Sequence, residues 1–123
     1  MHYYANIKMS RMADALTMTD QTGTRAGQRI LTLNGPLILA NIFQFQATVR
    51  ADQSQTLIID FSGVPYVDSA GIGALVGAYV TRQHSKRRLA LVGVSNRVRD
   101  ALKVTHVDSF FQFFDSVAAA EEE

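Results

Sequence analysis

The chain contains no cysteine among its 123 residues. Disulfides, thiolate nucleophiles and cysteine-ligated metal sites are therefore excluded, and the composition suits a reducing compartment, with a cytoplasmic location expected. An excess of either charge is also lacking. Twelve Lys and Arg stand against eleven Asp and Glu, a formal net charge of +1. That leaves no global field to attract nucleic acid or an anionic membrane, so neither direct nucleic-acid binding nor membrane insertion is expected. The first twelve residues, MHYYANIKMSRM, interrupt every apolar stretch with polar or charged residues and make neither a signal peptide nor a membrane span. They read as a flexible leader, residues 1–12, in which Met9 and Met12 are alternative starts.

Chemistry-bearing patterns are equally sparse. His2, His84 and His106 are far apart, form no helical pair and have no carboxylate at ligand spacing, so no metal site is expected. A Gly-x-Ser-x-Gly elbow is missing, and Asp68-Ser69 has no base beside it in sequence. Gly71, Gly73 and Gly77 do not make a dinucleotide fingerprint, because the third glycine falls one place late. The expectation is a non-enzymatic protein without a cofactor.

What is present is the patterning of one α/β domain. A content of 47% hydrophobic and 19% charged residues fits a single core in a chain of this length. ADALTMT (13–19) alternates loosely, and after the turn-rich DQTGTRAGQ comes RILTLNG, so a hairpin is expected. Beyond Gly35 and Pro36, a helix is expected from Leu39, Ile42, Phe43, Phe45 and Val49, ending near Asp52. TLIIDF (56–61) is a short continuous apolar run, as a central strand covered on both faces requires. SGVPYVD then leads into a helix whose stripe is expected to be Ile72, Leu75, Val76, Tyr79 and Val80, closed by polar Arg82, Gln83 and His84. LALVGV (89–94) is a further strand. Ser95 can cap a helix bearing Val98, Ala101, Leu102 and Val104, and FFQFF and a final helical segment follow. The order predicts a mixed, mostly parallel sheet of four to five strands with about four helices. Residues 121–123 read as an acidic tail.

Asp68 and Ser69 stand where the chain enters the second helix, so either can cap its free amides and the other is left at the solvent end. Ala70, Gly71, Gly73, Ala74, Gly77 and Ala78 surround them with small side chains. Each interior glycine costs about 0.5–1 kcal/mol against alanine, so some close approach is expected to offset it. The helix presses on the sheet, or its first turn offers a flat surface through which another protein reaches Ser69. Arg82, Lys86, Arg87, Arg88, Arg97, Arg99 and Lys103 form a basic stretch, read as a solvated face. FFQFF either covers the core or offers an edge for a homodimer.

LIIDFSGVPYVDSAGIGAL, followed by LALVGVSNRVRDALKVTHVDSFFQFF, resembles the phosphorylation-site region of STAS-domain anti-sigma factor antagonists, a likeness that extends over about residues 13–120. The resemblance implies one STAS-like domain in which Ser69 is phosphorylated by an anti-sigma factor that is also a serine/threonine kinase. Partner binding then falls on Asp68, Ser69, Ala70, Gly71, Ile72 and Gly73. It further implies that the unphosphorylated protein holds the kinase and releases a sigma factor, and that a metal-dependent serine phosphatase resets it. Ala70 stands where the family usually carries a second hydroxyl residue, and Ile38 where it carries an acidic one. The other reading is an unphosphorylated STAS scaffold in a lipid-transport or sensory complex.

Overall fold

The computed structural model describes residues 15–123. The leader read at 1–12 and the start of the expected first strand lie outside the described residues. Strand β1 is Thr17–Thr22 and β2 is Gln28–Asn34. Helix α1 (Ile42–Ala51) leads to β3 (Thr56–Gly63), α2 (Ser69–His84) and β4 (Arg88–Val92). Helix α3 (Asn96–Val104), a 3₁₀ turn at Asp108–Phe110, β5 (Gln112–Phe114) and α4 (Val117–Glu122) complete the order.

The five strands form one sheet in the order β1-β2-β3-β4-β5, with β1 antiparallel to β2 and the others parallel. The expected mixed sheet and central TLIIDF strand are both observed. Register explains the unbroken apolar run. Leu31, Ile59 and Leu91 lie in line on one face, and Ile30, Ile58 and Ala90 in line on the other. The first set meets α1, α2 and α3 through Phe45, Leu75, Val98 and Leu102 in the main core. The second set meets Ala120 of α4 in a smaller cluster. Full burial of Phe45 contributes about 1.5–3 kcal/mol.

Several details differ from the sequence reading. The first strand begins at Thr17, so Asp20–Thr22, expected in a turn, pair with β2. Leu39 and Phe43, expected on the buried stripe of α1, are 61% and 71% exposed, and the buried set is Ile42, Phe45 and Val49. Val80 is exposed, because the inward face of α2 is Gly71, Ala74, Leu75, Ala78 and Arg82. Val104 is also exposed rather than inward. The aromatic run divides: Phe111 is buried in the core, while Phe110 stacks on Tyr79 with ring centroids 5.3 Å apart. Glu121 is buried at the end of α4, where its carboxylate accepts from the Thr24 N–H at 2.6 Å.

Arg82 corrects the picture of a uniformly solvated basic stretch. It is buried, donating to the carbonyl oxygens of Arg88 and Ser54 and pairing with the Asp52 carboxylate at 3.3 Å. Burial lowers its pKa, and the Asp52 charge opposes that shift. Lys86, Arg97, Arg99 and Lys103 are exposed, with Arg97 over the Tyr66 ring and Arg99 over Phe113.

Candidate functional site: the head of helix α2

β3 ends at Gly63, and the loop through Pro65 and Tyr66 delivers Asp68 to the N-cap of α2. The segment before α1 lies alongside. Leu37 N–H donates to the Tyr66 carbonyl at 3.2 Å, and Asp68 N–H donates to the Leu37 carbonyl at 3.3 Å. Asp68 uses both carboxylate oxygens: Oδ1 accepts from Gly71 N–H at 2.8 Å, and Oδ2 accepts from Leu39 N–H at 3.0 Å. One oxygen caps the helix, and the other ties the α1 approach to the same point. Asn41 reinforces this turn, accepting from Ile38 N–H and donating to the Pro36 carbonyl.

With Asp68 as the cap, Ser69 becomes the first residue of α2. It is exposed, and its hydroxyl has no hydrogen-bond partner among the described residues. The ambiguity of which residue caps is thereby resolved by geometry. Ser69 Oγ sits at the positive end of a 16-residue helix, where an added anion is favoured by about 0.3–1 kcal/mol.

The small residues around it divide by role. A Cβ on Gly71 would collide with the carbonyl oxygen of Leu37, so glycine there allows the close approach that the Asp68 clamp holds. Gly73 and Gly77 are exposed, and a Cβ on either meets nothing within 4 Å. Ala70 and Ile72 are half-buried and pack against the main core. Ser69 and Gly73 are thus the fully exposed members of the expected partner-binding set, and the exposed Leu39 lies beside them through Asp68. The sequence reading missed that neighbour. Its signal was available, since Ile42, Phe45 and Val49 make a complete stripe at i, i+3 and i+7 without Leu39 or Phe43.

A family model of the STAS domain matches residues 17–120. The chain belongs to the STAS domain family. Among solved structures, this STAS domain is similar to an anti-sigma factor antagonist from Mycobacterium paratuberculosis. The TM-score is 0.76 at 18% identity, over 89% of this chain and 97% of that one. It is similar also to the Bacillus cell fate determinant SpoIIAA in its phosphorylated form, with a TM-score of 0.67 at 16% identity, over 86% and 98% of the two chains. The murine anion transporter solute carrier 26 family member A9 gives a TM-score of 0.74 at 22% identity; 96% of this chain matches 24% of that one. At these identities the likeness is one of fold, and the same fold serves in antagonists and within a transporter. Among the described residues, no helix is long and apolar enough to cross a membrane.

Proposed function

We propose that this STAS domain is an anti-sigma factor antagonist switched at Ser69. Unphosphorylated, it binds an anti-sigma factor serine/threonine kinase and so releases a sigma factor; phosphorylated, it lets go, and a metal-dependent serine phosphatase restores it. The chain itself performs no chemistry in this cycle. The observation that carries the reading is the division of labour at the head of α2: Asp68 supplies the cap and the clamp, which leaves Ser69 Oγ exposed and unengaged. A serine needed as the cap would lose that hydrogen bond on modification. This one has none to lose.

The switch follows from charge. A phosphoserine carries about −1.5 to −2 near neutral pH, and the helix N-terminus accommodates it, so the domain stays folded. A partner carboxylate or nucleotide phosphate about 4 Å away is repelled by about 4 kcal/mol per unit charge pair at an effective dielectric of about 20. At about 1.4 kcal/mol per tenfold, binding weakens by roughly a thousandfold. Titration calorimetry against the purified anti-sigma factor kinases of the source genome tests this. Ser69→Ala should bind as the native protein does, and Ser69→Asp should bind a hundredfold to a thousandfold more weakly, as rough bounds from the same estimate. Equal binding by the two variants would falsify the switch. An unmodified Ser69 in protein recovered from cells together with transporter subunits would favour the scaffold reading.

A further inference from the structure

The surface beside Ser69 is built by two helices that start together and run side by side. Leu39, just ahead of α1, is tied to Asp68 at the head of α2. Farther along, a furrow of about 120 Å³ opens between the helices, lined by Gln46 and Arg50 of α1 and by Gly77 and Thr81 of α2. Gln46 and Arg50 form one rim, and Phe43 precedes them at i−3 and i−7 on the same face of α1. Gly77 is on the other rim, and Gly73 and Ser69 precede it along α2 at i−4 and i−8, a track bare of side chains beyond the serine. The furrow is lined on α2 from Ala74 to Thr81, about 10 Å of helix, and the bare track continues from there to Ser69.

Two observations say what covers it. Phe43 and Leu39 are 71% and 61% exposed on this surface, an apolar area that no described residue covers. Charge is almost absent: in residues 36–51 and 69–81 the only Asp, Glu, Lys or Arg is Arg50, which is exposed at the far end. We infer that the furrow receives an amphipathic helix of the anti-sigma partner, its apolar side against Phe43 and the Gly73–Gly77 track and a carboxylate on Arg50. A second copy of this chain fits less well, since it brings another Arg50 and no carboxylate on this face. The inference rests on the antagonist reading and adds where the partner lies. A phosphate on Ser69 would stand at the head of the bare track that leads to the furrow, against the seated helix.

The test titrates the purified anti-sigma factor kinases of the source genome against Phe43→Ala, Gly77→Leu and Arg50→Glu. Val104→Ala, an equally exposed apolar residue on α3, serves as the control. Losses of about thirtyfold are expected for Phe43→Ala and Gly77→Leu, as for an anchor and its pocket, and about tenfold for Arg50→Glu. Val104→Ala should bind normally. Gly77→Leu should also unfold at a higher temperature than the native protein while binding worse, a combination that a damaged fold cannot produce. Binding abolished by Ser69→Asp but untouched by Phe43→Ala and Gly77→Leu would overturn the furrow and leave the switch standing. A native protein that binds none of the kinases would remove both. A concentration-dependent dimer lost in Phe43→Ala would overturn the inference too, by giving this face to a second copy.

Discussion

At the scale of single residues, α2 contains glycines of opposite consequence. Gly71 lets the helix head lie against the Leu37 carbonyl, and any side chain there collides with backbone that cannot yield. Gly71→Ala should therefore cost about 1–3 kcal/mol or more, read as a lower midpoint in urea. Gly77 faces open space, so Gly77→Ala should raise stability by about 0.5–1 kcal/mol through helix propensity and a less flexible unfolded chain. If both changes destabilise equally, the roles assigned to them are wrong. Asp68→Ala removes the cap and the Leu39 tie together, and a loss of about 1–2 kcal/mol is expected on thermal unfolding. None of this division is visible in the letters Ala-Gly-Ile-Gly-Ala-Leu-Val-Gly. The sequence shows that glycines are present, whereas their meaning depends on a carbonyl more than thirty positions earlier.

At the scale of elements, the helices show where hydrophobic counting succeeds and where it stops. Strands β3 and β4 are legible because both faces are covered and every residue from Leu57 to Ile59 and from Leu89 to Val92 is buried. Helix α2 is legible as a helix but not in its phase. Its inward set, Gly71, Ala74, Leu75, Ala78 and Arg82, keeps helical spacing in residues that a search for large apolar side chains passes over. Arg82 is the extreme case, a cation that pins the end of α2 to the starts of β3 and β4 through Ser54, Arg88 and Asp52. Arg82→Ala leaves the Ser54 and Arg88 carbonyls without this donor and the Asp52 carboxylate, held then by Ser54 alone, without its cation, and should destabilise by about 3–5 kcal/mol. Arg82→Lys should rescue little, since one ammonium cannot reproduce the guanidinium fork. Rescue to within about 1 kcal/mol of the native protein would show the fork to be dispensable.

At the scale of the molecule, the mixed sheet places Ser69 just beyond the carboxyl end of its central strand, the end of an open α/β sheet where loops gather and partners are met. That placement was legible because strand, loop, Asp-Ser and helix follow one another in the sequence. The apolar surface formed by Leu39 and Phe43 was not, because it depends on how α1 turns against α2. On the proposed switch, Ser69 carries phosphate without disturbing the fold. Ser69→Asp should accordingly melt at or slightly above the native temperature, consistent with about 0.3–1 kcal/mol from the helix N-terminus. A clearly lowered melting temperature would mean that Ser69 has a structural role after all. The most direct measurement incubates the protein with magnesium-ATP and each anti-sigma factor kinase of the source genome, and maps the modified residue by mass spectrometry. The account predicts a single phosphate on Ser69, absent from Ser69→Ala. An unmodified protein, or a phosphate on any other residue, would contradict it.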